Sequence, residues 1–270
     1  MHSTASDGSL PPAQVVEAAR AARLSVIALT DHDTMAGLDE AVATGTEMGV
    51  RVVRGVELSA HNGSSEIHLL ALHVSRPEPL EARLAAFRYS REVRARLIVE
   101  RLNQLGIPVT FESVMNEAAG GSVGRPHIAR SMISIGAARD TREAFDKFLG
   151  AGRPAFIPKE RLEVADAIEI AHASGAIVIW AHPGWECRRA SLEPLIAAGL
   201  DGVEVRHPSH NAEDVKRIAA LVDFFGLLPS GGSDWHGTAD GPRSIGCMHV
   251  PHEWLVRQES AAAKRMAEVA

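Results

Sequence analysis

The chain has little cysteine and no long apolar run. Cys187 and Cys247 are its two cysteines among 270 residues, too few for a disulfide framework, and this scarcity is typical of a reducing compartment. No apolar stretch approaches the roughly 18 residues that a membrane-spanning helix needs. The first residues show neither the basic region nor the apolar core of a secretory signal. We therefore expect a cytoplasmic protein without a membrane segment.

Positive charge is scarce as well. Lys and Arg number 28 against 34 Asp and Glu, which makes the net charge −6 with histidine neutral. This balance argues against a protein that coats long nucleic acids by charge alone, although it is compatible with a locally positive pocket. Aromatic residues make up only 4% of the chain, so its 13 histidines stand out beside a single tyrosine and need an explanation.

Short apolar runs rich in β-branched residues alternate with amphipathic helical patterns through most of the chain. The runs begin at Val26, Arg51, Ile67, Ile177 and Gly202, and most of them end in polar or charged residues. Such alternation predicts an α/β protein with a parallel sheet covered by helices. In barrels of this kind the active site lies at the carboxyl ends of the strands.

The segment 77–154 interrupts this alternation. It contains a long helix that carries many arginines and ends at Gly106, followed by short helical pieces joined by glycine-rich turns, and the pattern predicts no strand there. We expect residues 1–76 and 155–270 to form a barrel that binds metal. Residues 77–154 are expected to form a small helical insertion that acts as a substrate cap.

Histidines and carboxylates recur at successive strand ends. Imidazole together with carboxylate is a ligand set that suits Zn, Mn or Fe. One carboxylate can bridge two cations, and clustered ions activate water and neutralise phosphoryl oxygens. A single Asp-x-His pair is weak because it occurs by chance, but the repetition predicts a metal centre. The residues concerned are His2, Asp7, Asp31, His32, Asp33, Glu57, His68, His182, His207, His210, Asp234 and His236.

The order of these residues resembles that of the PHP family, the polymerase and histidinol phosphatase domain. The matching motifs are the stretch from His2 to Gly8, Thr-Asp-His-Asp at 30–33, Gly-Val-Glu-Leu-Ser at 55–59, Ala-His-Pro-Gly at 181–184 and Gly-Ser-Asp-Trp-His at 232–236. The stretch Gly-Arg-Pro-His-Ile-Ala-Arg at 124–130 is similar to that of stand-alone bacterial members that act on 3′,5′-nucleoside bisphosphates or degrade RNA from its 5′ end. The resemblance covers nearly the whole chain.

This resemblance implies a distorted (β/α)7 barrel and a site for two or three divalent metal ions, of which we favour Mn over Fe and Zn. It assigns His2, Glu57 and Asp234 to one ion, and Glu57, His68 and His182 to a second. A third ion takes Asp7, His32 and His236. Glu57 bridges the first two ions.

One departure from the family concerns the first motif. The family has two histidines there, preceded by a strand, whereas this chain begins just before the second histidine. We therefore expect a barrel in which the first strand is missing. Either the start is assigned a few residues too late, which we favour, or the truncation is real. A missing strand opens an edge of the sheet.

Substrate contacts are expected mainly from the insertion. Arginine binds phosphate bidentately, and the start of a helix favours anions. The alternative is that Arg130 and Lys159 are solvated surface charges. The arginines of the long helix are expected to form a solvated face, with a path for RNA as the alternative. The predicted phosphate-binding residues are Arg125, His127, Arg130, Lys159 and His210, with His207 as a weaker candidate, and the predicted catalytic residues are Glu57, Asp234 and His210.

These observations predict a metal-dependent phosphohydrolase that removes the 3′-phosphate from nucleoside 3′,5′-bisphosphates. The same site could also trim short 5′-phosphorylated RNA in the 5′-to-3′ direction. One alternative is a phosphatase of a small non-nucleotide phosphomonoester, and the other is a non-catalytic metal-binding scaffold, suggested by the missing histidine. The expected partner is a small nucleotide or a short oligonucleotide, and no protein partner is inferred.

Overall fold

The computed structural model describes residues 1–118, 123–237 and 243–269. The chain divides into two compact units, one formed by Met1–Ala82 with Leu162–Ala270 and the other by Arg83–Arg161. The predicted boundaries at 77 and 154 lie a few residues before those of the second unit. None of the helices in the described ranges is long and apolar enough to cross a lipid bilayer.

The first unit contains a six-stranded sheet and most of the helices. Its strands are β1 (Val26–Leu29), β2 (Arg51–Asn62), β3 (Ser65–Leu72), β4 (Ile177–Trp180), β5 (Gly202–Arg206) and β6 (Leu228–Gly231). The helices of the chain are α1 (Pro12–Ala21), α2 (Leu38–Met48), α3 (Glu78–Gln104), α4 (Phe111–Ala118), α5 (Arg125–Ser134), α6 (Thr141–Ala144), α7 (Val164–Ala173), α8 (Arg189–Ala197), α9 (Ala212–Phe225) and α10 (His252–Val269). A π-helical turn, Phe145–Leu149, follows α6, and a 3₁₀ turn, Gly184–Glu186, follows β4.

The sheet is curled into a half-barrel in which the strands follow one another in chain order, with β1 and β6 at the two edges. This confirms the expectation of an α/β barrel that is short of one strand. A cavity of about 420 Å³ reaches both edges and is lined by Val26, Ile27 and Ala28 of β1 and by Ser230 and Gly231 of β6.

The prediction of a parallel sheet is wrong for β3. This strand pairs antiparallel with both β2 and β4, whereas β1 with β2, β4 with β5 and β5 with β6 are parallel. The physical reason is a tight hairpin, since Asn62 pairs with Ser65 and only Gly63 and Ser64 make the turn. Gly63 has φ 63°, in the left-handed region that glycine adopts without strain. A Gly-Ser pair between two apolar runs is a hairpin signal.

Local sequence explains where several helices begin and end. The side chain of Asn211 accepts hydrogen bonds from the backbone N–H groups of Glu213 and Asp214, which caps the start of α9. Gly226 ends that helix with φ 67°. Strand β4 is an uninterrupted apolar run whose four residues are all buried, as expected for the interior of a covered sheet.

The second unit is helical in its described residues and has its own hydrophobic core. Side chains of α3, α4, α5 and the π-helical turn form this core, with Ile98, Leu102, Val114, Ile128 and Leu149 fully or almost fully buried. The unit therefore has the independent packing that a compact insertion requires.

Candidate metal centre

The eight predicted ligands all belong to the first unit and come together at one end of its sheet. The loop before α1 supplies two of them, and the rest come from strands or from the segments that follow strands. These are His2 and Asp7 in the loop, His32 after β1, Glu57 in β2, His68 in β3, His182 after β4, and Asp234 and His236 after β6.

A first group is built around His2, which is completely buried. Its Nε2 lies 3.2 Å from Oε2 of Glu57 and 3.0 Å from Oδ1 of Asp234. Its Nδ1 lies 3.5 Å from Oδ1 of Asp7. One imidazole therefore faces three carboxylates, and the set His2, Glu57 and Asp234 is close enough to share an ion.

A second group shares Glu57. Its Oε1 lies 2.7 Å from Nδ1 of His68 and 3.1 Å from Nε2 of His182. Those two imidazole nitrogens are 3.2 Å apart. The ligand atoms of His32, Glu57 and His68 are also close enough together to hold an ion, so His32 can contribute to this group as well. The two oxygens of Glu57 thus face different groups, as a bridging carboxylate requires.

A third group surrounds Asp7. Its Oδ1 lies 3.4 Å from Nε2 of His236, and its Oδ2 lies 3.9 Å from Nε2 of His32. The ligand atoms of His2, Asp7, His32 and His236 are close enough together to hold an ion. The side chain of Asp7 is 56% exposed, so this group forms the open side of the cluster, whereas His2 and Glu57 form its buried floor.

The imidazoles keep the carboxylates of the cluster ionised. Burial raises the pKa of Glu57, but its close contacts with the imidazoles of His182, His2 and His68 outweigh burial and bring it well below its usual range. The pKa of Asp234 is lowered in the same way by His2 and His207 against the effect of burial. A hydrogen bond with His236 lowers the pKa of Asp7 to about 2.

This donor set fits divalent cations. Neither ring nitrogen of His2 makes a hydrogen bond of good geometry with the described residues, although both are buried. A buried polar nitrogen is costly when unsatisfied, and a cation between His2 and the carboxylates would remove that cost. Imidazole and carboxylate ligands together suit Mn, Fe or Zn.

Surrounding groups hold the ligand-bearing segments in place. Asp31, which is 2% exposed, accepts hydrogen bonds from the backbone N–H of Ser3 (2.6 Å) and from the hydroxyls of Ser3 and Ser6, each at 2.7 Å. These bonds fix the loop that carries His2 and Asp7. Supporting contacts of this kind orient metal ligands.

The backbone of the cluster is strained at three positions. Asp33, His182 and Asp234 have φ values of 51°, 33° and 49°, a region that residues other than glycine rarely adopt. Local strain of this kind concentrates at functional sites. At His182 the backbone N–H donates to Oε2 of Glu204 at 2.7 Å, and burial raises the pKa of Glu204 to about 8.

The two other histidines of the predicted site have different surroundings. His210 donates from Nδ1 to the carbonyl of Val205 (3.0 Å) and accepts the N–H of Gly184 at Nε2 (3.1 Å), so both its nitrogens are engaged by backbone groups. The buried His207 places Nε2 3.5 Å from Oδ2 of Asp234. A substrate contact by either residue stays a prediction.

The other predicted phosphate-binding residues belong to the second unit. Arg125 donates to the carbonyl of Leu149 at 3.0 Å and stacks near the rings of Phe145 and Phe156. His127 accepts the N–H of Gly124 at Nδ1, which caps α5. Arg130 pairs with Glu117 at 3.0 Å, and Lys159 is half-buried. Their role toward a substrate stays a prediction.

The motif pattern does not identify two residues that contact the cluster. Arg243 places Nη1 2.6 Å from Oδ2 of Asp234, and Glu204 receives the N–H of His182. Glu204 lies within the apolar run of β5, where a buried carboxylate is a signal in itself because it needs partners. Arg243 lies outside the motifs, and only the fold brings it to Asp234.

Comparison with known proteins agrees with this geometry. The sequence model of the family described as the PHP domain matches residues 1–111 of this chain. A 3′,5′-nucleoside bisphosphate phosphatase of Chromobacterium violaceum is 35% identical over 91% of this chain and 88% of its own length. A 5′-3′ exoribonuclease of Haemophilus influenzae is 36% identical over 87% of this chain and 88% of its own length.

A solved structure supports the same assignment. A metal-dependent phosphoesterase of Bifidobacterium adolescentis superposes with a TM-score of 0.74 at 31% identity, covering 96% of this chain and 94% of the other. Sequence similarity over nearly the full length, the shared fold and the cluster of metal ligands lead to one conclusion. The chain belongs to the PHP domain family and is a metal-dependent phosphohydrolase.

Proposed function

We propose that this protein removes the 3′-phosphate from nucleoside 3′,5′-bisphosphates, with manganese as its metal. The observation that carries the proposal is Glu57, which is held between His2 on one side and His68 and His182 on the other. The name of the Chromobacterium relative supports the choice of substrate. The nitrogen and oxygen ligands that the described residues offer support Mn, as they would Fe or Zn.

We assign separate tasks to the residues of this chain. The first group of ligands is His2, Glu57 and Asp234, the second is Glu57, His68 and His182, and the third is Asp7, His32 and His236. Divalent ions bound there lower the pKa of water and neutralise phosphoryl oxygens. Glu57 stays ionised and orients the imidazoles of two groups. The open side around Asp7 admits a phosphate from solvent.

Recognition of the second phosphate of the substrate is assigned to the residues predicted from sequence. Arg125 begins α5, and its guanidinium has the planar shape that binds phosphate bidentately. The other predicted contacts are His127, Arg130 and Lys159 of the second unit and, separately, His210 of the first unit. In the present structure Arg130 has a carboxylate partner, so a role in substrate binding requires that Arg130 exchange Glu117 for the phosphate.

The test is hydrolysis of adenosine 3′,5′-bisphosphate by the manganese-loaded protein, with products separated by chromatography. We expect AMP and free phosphate, and none with Asp234→Asn. Glu169→Gln, on the exposed face of α7, is the matched control and should keep full activity. 3′-AMP, which lacks the 5′-phosphate, should be a much poorer substrate. Equal turnover of both nucleotides would contradict recognition of the second phosphate.

Trimming of short 5′-phosphorylated RNA is the second candidate, and the similarity to the Haemophilus exoribonuclease favours it. The distinguishing measurement compares a short RNA carrying a 5′-phosphate with the same RNA carrying a 5′-hydroxyl. Release of mononucleotides from the first at a higher rate than AMP from the bisphosphate would make RNA the main substrate.

Failure with both substrates would leave the two alternatives open to test. Turnover of a small phosphomonoester such as histidinol phosphate would identify a non-nucleotide phosphatase. Bound metal without turnover of any phosphoester would favour a scaffold. The cytoplasmic location stays a prediction.

A further inference from the structure

The two carboxylate oxygens of Asp234 face different surroundings. Oδ1 lies 3.0 Å from Nε2 of His2, within the group that is close enough to share an ion. Oδ2 lies 2.6 Å from Nη1 of Arg243 and 3.5 Å from Nε2 of His207. One oxygen therefore faces the first group of ligands, and the other faces two donors of the protein.

His207 is fixed as a donor toward Asp234. Its Nδ1 accepts the backbone N–H of Ser209 at 3.1 Å, and the hydroxyl of Ser209 lies 2.7 Å from the same nitrogen. The proton of the neutral ring must then be on Nε2. This Nε2 is buried, and it forms no hydrogen bond of ordinary geometry within the described part of the chain. Oδ2 of Asp234 is the acceptor that it faces.

Arg243 supplies a permanent positive charge to the same oxygen. A guanidinium is not deprotonated in proteins, and hydrogen bonds between charged groups are shorter and stronger than neutral ones. The backbone of Asp234 is strained as well, since its φ of 49° lies in a region that L-residues rarely adopt. Without a partner on Oδ2, the carboxylate could rotate and present either oxygen to the first group.

We propose that Arg243 and His207 are positioning residues that occupy Oδ2 of Asp234 and so keep Oδ1 directed at the ion of the His2, Glu57 and Asp234 group. The inference rests on the metal-dependent activity stated above, but it concerns metal binding and does not depend on which phosphoester is the substrate. Contacts of this second layer typically change metal affinity by 10–100-fold, so their loss is measurable.

The test measures manganese binding by equilibrium dialysis with elemental analysis, in the absence of substrate. Arg243→Gln should weaken one bound ion by about 10–100-fold and leave the others unchanged. Arg243→Lys, which keeps the charge, should recover part of the affinity. Arg142→Gln, a substitution of an arginine that is 90% exposed in the second unit, is the matched control and should bind as the parent does.

His207→Phe removes the second donor while keeping an aromatic ring, and His207→Gln restores a donor. The double variant Arg243→Gln/His207→Phe should lose less than the product of the two single losses, because both residues act on one oxygen. Circular dichroism checks that each variant folds. If His207→Phe does not fold, Arg243, whose side chain is 47% exposed, still decides the question.

A positioning role has a kinetic signature as well. The activity lost in Arg243→Gln should return at saturating manganese with KM for the nucleotide unchanged. A raised KM that metal does not correct would make Arg243 a substrate contact and overturn the proposal. Unchanged or tighter manganese binding in Arg243→Gln would also overturn it, since Arg243 would then compete with the cation. A parent protein that binds metal but hydrolyses no nucleotide would refute the proposed substrate alone.

Discussion

Two polar clusters in the first unit are built from the same types of residue but differ in how completely their groups are paired. The Asp201 cluster consists of His172, Val178, Asp201 and Arg265. Oδ2 of Asp201 lies 2.8 Å from Nε2 of His172 and accepts the N–H of Val178 at 2.8 Å, while Oδ1 accepts from Arg265 at 2.8 Å. Every oxygen of that carboxylate therefore has a partner, and one partner is a cation.

The cluster around Glu57 has no such closure. Apart from the pair of Asp234 with Arg243, its carboxylates face imidazoles, and the nitrogens of His2 lack well-formed hydrogen bonds to the described residues. The comparison shows how a His and Asp motif is to be interpreted. A carboxylate paired with arginine and backbone N–H groups stabilises the fold, whereas several carboxylates and imidazoles facing one another require cations.

The largest expected effect comes from substituting the shared carboxylate. Glu57→Gln keeps the size of the side chain but removes the charge that both ligand groups use. We expect kcat/KM to fall by at least about 10³-fold, because the ions that stabilise the charged transition state lose their common ligand. Steady-state kinetics with the nucleotide substrate and elemental analysis of bound metal measure the two losses together.

The matching substitution of a carboxylate by its amide in the Asp201 cluster should have no such effect on activity. Asp201→Asn should leave kcat/KM close to that of the parent protein. A loss of activity in Asp201→Asn comparable to that of Glu57→Gln would mean that the two clusters are not functionally distinct.

Removal of metal should destabilise the protein through the Glu57 cluster only. A ligand at 100 times its Kd stabilises the folded state by about 2.7 kcal/mol per site. A chelator should therefore lower Tm by roughly 5–10 °C for the loss of one such ion. Differential scanning calorimetry with and without EDTA tests this, and Asp201→Asn should show the same decrease as the parent. No decrease in the parent would mean that the cluster is satisfied without cations.

Substitution of Asp201 should affect stability more than activity. Asp201→Asn removes a charged acceptor from an arginine and a histidine whose side chains are 26% and 19% exposed. Hydrogen bonds to charged groups contribute about 1.5–3 kcal/mol, so we expect the free energy of unfolding to fall by about 2 kcal/mol in urea titrations. Glu193→Gln, which alters an exposed ion pair with Arg189, should change it by less than about 0.5 kcal/mol.

Much of this metal centre can be predicted from the sequence because most of its ligands lie in strands or follow them. His32, His182 and Asp234 come directly after β1, β4 and β6, so the argument from strand ends places them together without a structure. His68 differs, since it lies inside β3 opposite Ser59. It reaches the cluster because β3 runs antiparallel to its neighbours, which the parallel-sheet prediction missed.

Other parts of the molecule depend on contacts that the local pattern does not contain. Helix α10 buries two side chains, Gln258 and Ala262, and one of them is polar, so the spacing of apolar residues alone does not identify its packed face. Arg243 meets Asp234 only after the chain has folded. The Asp201 cluster likewise joins residues from α7, β4 and α10 with the segment before β5, a combination that periodicity does not reveal.

The smallest effect is the acid dependence of the stability that Asp201 provides. Burial raises the pKa of this carboxyl. Hydrogen bonds with His172 and Val178 lower the pKa by more than burial raises it, so the net pKa lies below the ordinary value of 3.8. A carboxyl with a lowered folded-state pKa contributes stability above pH 3.8, and that contribution is lost as the pH falls through the folded-state pKa. The difference in unfolding free energy between the parent and Asp201→Asn should thus persist at pH 5 and shrink below about 1 kcal/mol in strong acid. Urea titrations of both metal-free proteins from pH 5 to about 2 measure it, and the carboxylates of the Glu57 cluster cancel in the difference because both proteins carry them. A difference that does not shrink below pH 3.8 would show that Asp201 is not held as an anion and that its cluster is not the closed network described above.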